Sequence, residues 1–421
     1  MSLNVFLKQC PFSRNDYNPF TSPQIDDPYP FYARARQETP VFYSPLLNAW
    51  IVTRYDDICT VMKDPIRFSS KNSVQIPSDL PPEVQEIMRG FNLDLPLVNH
   101  DPPIHTRLRS IVGKVFLQQS IAAMKPRIQA IAHELVDSFV DDGRADLIAQ
   151  FAYPLPMIVM TALLGVPRTD IQLFKQWSDD WAMLMWENQP LEQQVKCAHG
   201  CIAFQNYTSA MLEERRRTPQ DDITTKLLNA LQEDEYLLST SEIATLLMGF
   251  LFSGHESTTK LIANALLVLL RHPNQWRLLQ ENLHLAVNVV EETLRIDSPA
   301  QGMFRTTTEA VELGGVTLPA GARLQLMFAS ANRDETHFPN PDCFNIHRPN
   351  LQKHLGFGWG IHLCLGAPLV RLESQVALEV LAQRLPSLRF QQDFVVQYEP
   401  NVVLRGPKHL LLEWDAVEPL S

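Results

Sequence analysis

The sequence has no long apolar run. Its most apolar stretch, residues 151–166, contains two prolines and is shorter than the ~18 apolar residues expected of a membrane-spanning helix. The N-terminal residues turn polar too soon for a signal peptide. These absences predict a soluble, cytoplasmic protein with no membrane partner.

A basic excess and a disulfide pattern are also missing. Lysine and arginine number 36 against 47 aspartates and glutamates, for a net charge of −11. Nucleic acid is therefore not expected as a partner, because phosphate binding needs clustered basic side chains. The cysteines are too scattered for a disulfide framework; they are Cys10, Cys59, Cys197, Cys201, Cys343 and Cys364.

The chain contains no linker or repeat that would divide its 421 residues. We therefore expect one domain over 1–421, with about 1–20 as an N-terminal extension, and a monomer. Helical periodicity predicts helices near 104–118, 120–141, 170–187, 190–217, 241–272, 284–296 and 366–386. Short strands are predicted near 49–55, 311–318, 322–328 and 409–414. The fold class is mainly α with small antiparallel β-sheets.

The predicted helix 241–272 is apolar nearly all round, so it should cross the middle of the molecule. Ser241 is the candidate N-cap. Its centre reads SGHEST (253–258), where Gly254 and Glu256 are poor choices for a buried helix. Two interpretations remain open: a local bulge beside a ligand, or a satisfied polar cluster in the core.

Cys364 lies in the glycine-rich stretch FGWGIHLCLG (357–366), directly before a helical pattern. A free cysteine is commonly a small buried hydrophobe. At a helix N-terminus it can instead be an accessible thiolate with a lowered pKa. The residues alone leave both interpretations open.

Four motifs in order resemble the cytochrome P450 family, specifically its soluble bacterial members. They are HDPPIHTRLRS (100–110), SGHEST (253–258), EETLR (291–295) and FGWGIHLCLG (357–366). The last matches the family signature F-G-x-G-x-H-x-C-x-G at every fixed position. The resemblance implies the cytochrome P450 fold, with a long central helix over heme b and Cys364 as its thiolate axial ligand, the metal-binding residue.

The resemblance also implies roles for other residues. Cofactor-binding positions beside Cys364 would be His105, Arg109, Gly254, Arg305, Phe357, Gly358, His362 and Gly366. Glu292, Arg295 and Arg348 would form a structural ion-pair group. Glu256 and Ser257 would be the catalytic acid–alcohol pair that delivers protons. Serine stands where the family usually has threonine, and the neighbouring Thr258 could compensate. Candidate substrate-pocket residues are Phe91, Trp181, Met185, Trp186, Met248, Met303, Phe304 and Val402.

The implied function is a heme-thiolate monooxygenase that inserts one oxygen atom from O2 into an apolar small molecule. The substrate would resemble a lipid, terpenoid, polyketide or other secondary metabolite, either free or tethered to a carrier protein. A ferredoxin and its ferredoxin reductase would supply electrons, with docking near Lys114, Lys353 and Arg371. Alternatives are coupling, desaturation, epoxidation or peroxide-driven oxidation and, from another class, a non-catalytic heme sensor or carrier.

Overall fold

The computed structural model describes residues 16–75, 80–92, 94–116, 121–186, 189–233 and 238–415. The chain forms two compact units. The first contains residues up to 73, 125–152 and those from 257 onward, and the second contains 74–124 and 153–256. None of the helices in these described ranges is both long and apolar enough to span a bilayer.

Helices dominate both units. In the first unit they are α1 (Tyr29–Glu38), α2 (Tyr55–Lys63), α5 (Lys125–Asp137), α11 (Pro273–Glu281), α12 (Ala286–Ile296), α13 (Phe328–Ala331) and α14 (Ala367–Arg384). In the second unit they are α3 (Pro82–Met88), α4 (Ile104–Val115), α6 (Pro154–Leu164), α7 (Ile171–Trp186), α8 (Leu191–Arg217) and α9 (Ile223–Glu233). Helix α10 (Thr240–Arg271) contributes residues to both.

Every strand in the described part of the chain belongs to the first unit. One sheet has the order β1 (Val41–Ser44), β2 (Ala49–Val52), β8 (Arg323–Leu326), β5 (Met303–Thr307) and β3 (Phe68–Ser69). A second contains β4 (Arg144–Asp146), β10 (Leu411–Glu413) and β9 (Arg389–Phe390), and β6 (Val311–Leu313) pairs with β7 (Val316–Leu318). Most pairings are antiparallel as expected, but β2 and β8 run parallel, with Trp50 opposite Leu324. The expected small antiparallel sheets are confirmed, and the first sheet contains this one parallel pairing in addition.

The first turn of α10 corrects the predicted cap. Ser239 Oγ accepts a hydrogen bond from the Glu242 backbone N–H at 3.1 Å, and the Glu242 carboxylate accepts one from the Ser239 N–H at 2.7 Å. This is a reciprocal capping box. Ser241, the sequence candidate, already lies inside the helix. The glutamate three residues after a serine was the better signal.

Two apolar clusters fill the first unit. One consists mainly of aliphatic side chains of β2, β8 and α2, including Val52 and Leu324, and the other is rich in aromatic rings such as Phe31. In the second unit, aromatic rings of α7 and α8 pack together, and the rings of Trp177 and Phe204 stack at 5.8 Å. Helices α4, α6 and α7 lie against the first half of α10.

Candidate active site

The cysteine loop is built from backbone hydrogen bonds that glycine makes possible. The Cys364 N–H donates to the Phe357 carbonyl at 2.9 Å, and the Gly358 N–H donates to Leu355 at 2.8 Å. Gly358 and Gly360 have φ values of +71° and +73°, a region that strains residues with a Cβ. The loop leads directly into α14, so Cys364 is an exposed thiol at a helix N-terminus.

Two cationic candidates of the first unit are fixed by one serine-rich segment. Arg305, buried on β5, donates to Ser73 Oγ at 3.3 Å and to the Phe304 carbonyl at 2.6 Å. His362 Nε2 lies 2.8 Å from Ser70 Oγ. Sequence reasoning missed both serines. The serine-rich stretch FSSKNS (68–73) was the available signal, although it reads as an ordinary turn.

Glu292, Arg295 and Arg348 lie together in the interior of the first unit. Arg295 binds the Glu292 carboxylate through two nitrogens at 2.7 and 2.8 Å, and Arg348 Nε lies 3.2 Å from both carboxylate oxygens. The remaining arginine nitrogens donate to backbone carbonyls of the segment 332–343. The group therefore ties α12 to the chain that precedes the cysteine loop.

The polar centre of α10 contains no bulge. Residues 240–271 are continuous α-helix, so the interpretation of Gly254 as a helix bulge is wrong. Gly254 instead makes room for a neighbouring side chain, because a Cβ there would lie 2.8 Å from the Met160 sulfur. Glu256 and Ser257 follow in the next turn and are partly buried, with 22% of the Glu256 side chain exposed.

His255, beside the acid, is a buried neutral imidazole. Its Nδ1 lies 2.6 Å from the Leu251 carbonyl, which can only accept, so Nδ1 carries the proton. Nε2 is then an acceptor for the Ser178 hydroxyl at 3.3 Å. Burial lowers the pKa of His255 despite the opposing effect of Glu256, 3.9 Å away. The one ring proton of His255 is therefore held by the Leu251 carbonyl.

The remaining sequence candidates are divided between the units. In the second unit, His105 is buried on α4, with Arg109 one turn later on the same face. The Trp181 ring packs edge to face with Phe91, at a ring-centroid distance of 5.9 Å, and packs at a tilted angle on Phe252 at 4.9 Å. Met185 and Met248 are also buried. These side chains are packed into a core, and the Trp186 side chain lies outside the described residues.

In the first unit, the other pocket candidates lie on or beside the five-stranded sheet. Phe304 pairs with Gln325 across β5 and β8, and Gln325 Nε2 donates to the Val402 carbonyl at 3.0 Å. Phe304 and Val402 are thus joined through one glutamine that sequence reasoning did not single out. Met303 is half-buried at the start of the same strand.

A helical fold with a glycine-framed cysteine before its C-terminal long helix defines a heme-thiolate class of protein. The family model "Cytochrome P450" matches residues 42–414. The chain belongs to the cytochrome P450 family, and it is a monooxygenase of that family.

Relatives and solved structures agree with this assignment. The chain is 35% identical to the cytochrome P450 monooxygenase PikC of Streptomyces venezuelae, covering 92% of this chain and 91% of PikC. It is 38% identical to the mycinamicin IV hydroxylase/epoxidase of Micromonospora griseorubida, covering 87% and 90%. The structure of cytochrome P450 CREJ with (4-ethylphenyl) dihydrogen phosphate matches with a TM-score of 0.91, 35% identity and coverage of 96% and 100%. P450BioI, solved with a fatty-acid-ligated acyl carrier protein, matches with a TM-score of 0.84, 30% identity and coverage of 93% and 98%.

Members of the family bind heme through a cysteine thiolate, and the residues around Cys364 fit that group. The soft thiolate is a recognised axial ligand of heme iron. The Cys364 thiol is exposed, and even a Cβ at Gly366 would make only an ordinary van der Waals contact with Sγ, at 3.9 Å, so the approach to the sulfur is open. The helix behind Cys364 favours the anionic form of the thiol.

Proposed function

We propose that this protein inserts one oxygen atom into an apolar secondary metabolite, with Cys364 as the heme ligand and Glu256 and Ser257 as the proton-delivery pair. Heme supplies the activation of dioxygen when bound. The observation that carries the proposal is the placement of an acid and a hydroxyl side by side in the polar centre of a long, mainly apolar helix. A heme sensor or carrier would have no use for such a pair.

Glu256 and Ser257 on α10 have distinct tasks in this proposal. The Glu256 side chain is partly exposed and can take a proton from solvent. The neutral His255 instead donates its one ring proton to the Leu251 carbonyl. Ser257 holds the proton beside the site of oxygen activation through its hydroxyl. Thr258 is fully buried, so we assign the partly exposed Ser257, not Thr258, to this step.

Ser257→Ala and Glu256→Gln test these assignments. Ser257→Ala should lower the ratio of product formed to reducing equivalents consumed while the substrate Kd stays unchanged. Glu256→Gln should slow turnover about 100-fold, because it removes the titrating group. Ser257→Thr is the matched control that keeps the hydroxyl. An unchanged product ratio in Ser257→Ala would remove Ser257 from the mechanism.

Of the three cations expected to bind the electron donor, Arg371 is unsuitable. Arg371 is not a free surface cation, because it binds the Glu291 carboxylate through two nitrogens at 2.6 and 3.0 Å. Around the cysteine loop, Trp359, Ile361 and Leu363 are exposed apolar side chains. The Lys63 ammonium lies 5.0 Å from the centre of the Trp359 ring, and Lys353 is exposed.

An apolar patch with lysines at its edge suits an acidic ferredoxin-type donor. Lys63→Glu and Lys353→Glu should each slow reduction by the donor several-fold at low salt, and the difference should shrink as salt rises. The exposed Lys408, outside this loop, is the control for charge reversal. Equal reduction rates in all three variants would contradict the proposed docking surface. Lys114, the remaining sequence candidate, is an exposed residue of the second unit.

The substrate class rests on apolar side chains and on the relatives' activities. Hydroxylation is the primary outcome that we propose, and epoxidation is the second candidate because one relative is named for both reactions. A screen of macrolide-type and fatty-acyl compounds, free and attached to acyl carrier protein, should find ligands that shift the heme Soret band toward high spin. Product analysis of those ligands then separates the two outcomes.

A further inference from the structure

A second polar group, with a buried glutamate and histidine and a half-exposed arginine, lies beside Glu292 and contacts the cysteine loop. It consists of Glu291 on α12, His354 just before the loop, and Arg371 on α14. Glu291 receives both partners: His354 Nε2 lies 3.1 Å from one carboxylate oxygen, and Arg371 Nε donates to the other at 2.6 Å. We call these three residues the Glu291 cluster.

The protonation state of His354 follows from its contacts. The Gly356 backbone N–H donates to His354 Nδ1 at 3.1 Å. A nitrogen that accepts such a bond carries no proton, so His354 is neutral and its Nε2–H donates to Glu291. Glu291 thereby orients the imidazole so that Nδ1 faces the loop backbone.

The Glu291 cluster contacts the start of the cysteine loop at two points, and α12 packs against the loop at a third. His354 binds the Gly356 N–H, and Gly356 itself lies so close to α12 that a Cβ would be 2.8 Å from the Leu294 carbonyl. The Arg371 guanidinium lies 4.5 Å from the centre of the Phe357 ring, within cation–π range. Phe357 in turn accepts the hydrogen bond from the Cys364 N–H.

From this geometry we propose that His354 is a positioning residue for the axial cysteine, with Glu291 orienting its ring. The neutral His354 fixes the backbone at Gly356, and the fixed backbone sets the Phe357 carbonyl that holds Cys364. Arg371 supports the same path from α14. The inference rests on Cys364 as the heme ligand, as proposed above, and adds residues that lie outside the signature motif.

Two substitutions separate the two hydrogen bonds of His354. Asparagine places an oxygen near Nδ1 and readily accepts the N–H two residues later, as in an Asx-turn. Glutamine places its amide NH2 near Nε2, which preserves the donor to Glu291 but not the contact to Gly356. His354→Asn and His354→Gln therefore each keep one bond, while His354→Ala keeps neither. His347→Gln, at an exposed histidine of the preceding segment, is the control.

The measurement is the decay of the thiolate-type band of the reduced, carbon-monoxide-bound holoenzyme, recorded beside thermal unfolding. We expect His354→Gln and His354→Ala to lose this band about tenfold faster than wild type, the factor for one lost hydrogen bond in a buried site. His354→Asn should stay within about twofold of wild type, because it restores the Gly356 contact.

Band decay and thermal unfolding together distinguish a positioning role of His354 from a merely structural one. A merely structural histidine would lower the thermal midpoint in both amide variants and make their band decay equal, which would overturn the proposal. A band decay in His354→Asn as fast as in the alanine variant would overturn it as well. A wild-type protein without the thiolate-type band would instead refute Cys364 ligation, and the inference would fall with it.

Discussion

Replacing Gly254 by alanine tests whether this glycine serves packing between α6 and α10. A Cβ at position 254 would lie within 3.0 Å of three Met160 side-chain atoms, so Met160 must move. Overpacking of this kind costs roughly 1–3 kcal/mol, whereas alanine gains about 1 kcal/mol over glycine in a helix. We therefore expect Gly254→Ala to lower the free energy of unfolding by about 1 kcal/mol, the difference between these terms.

The effect of Gly254→Ala on the free energy of unfolding should change sign when the Met160 side chain is shortened. In a Met160→Ala background the clash is gone, so Gly254→Ala should raise the free energy of unfolding by about 1 kcal/mol. Urea unfolding of the four heme-loaded proteins gives a double-mutant cycle with a coupling energy of about 2 kcal/mol. An equal effect of Gly254→Ala in both backgrounds would refute the packing role. A blocked carbon-monoxide complex with unchanged stability would favour the ligand-space role that the sequence suggested.

Two further predictions concern the buried carboxylates of α12. Glu292→Gln should cost about 3–5 kcal/mol and lower the heme content per protein, because it removes the charge that balances two buried guanidinium groups; a heme-replete, equally stable variant would contradict this role. For Glu291, burial alone would raise the pKa, but the hydrogen bonds from His354 and Arg371, together with the Arg371 charge, lower it from 4.5 to about 2. Its carboxylate should therefore contribute about 3 kcal/mol above pH 4.5, lost as pH falls toward 2. The difference in unfolding free energy between wild type and Glu291→Gln should narrow between pH 7 and pH 3, whereas a constant difference would exclude this linkage.

Local sequence patterns predicted the features that depend on near neighbours. The helical period placed α10 at 241–272, one residue from the observed Thr240–Arg271, because a long apolar helix has no competing local structure. The glycine-framed cysteine motif was readable for the same reason, since its backbone requirements lie within ten residues. The cap was misplaced at Ser241, because several hydroxyl residues adjoin one another there and only the Ser239–Glu242 pairing distinguishes them.

Features that depend on residues far apart in the sequence could not be predicted. Arg371 looked like a docking cation because its partner, Glu291, lies 80 residues earlier in the chain. Glu291 itself was not singled out, although it directly precedes the signature residue Glu292. The parallel pairing of Trp50 with Leu324 likewise joins segments that only the fold brings together. A bulge at Gly254 remained an open interpretation because the sequence does not reveal that Met160 lies against this glycine.

The most direct test of the central claim is the carbon-monoxide spectrum of the reduced protein, with Cys364→Ala and Cys364→His beside wild type. We predict a thiolate-type band in wild type, no such band in the alanine variant, and a histidine-type band in the histidine variant. The exposed Cys343→Ala variant should retain the wild-type band. A histidine-type spectrum in wild type, or a thiolate-type band that survives Cys364→Ala, would contradict the assignment of Cys364 as the heme ligand.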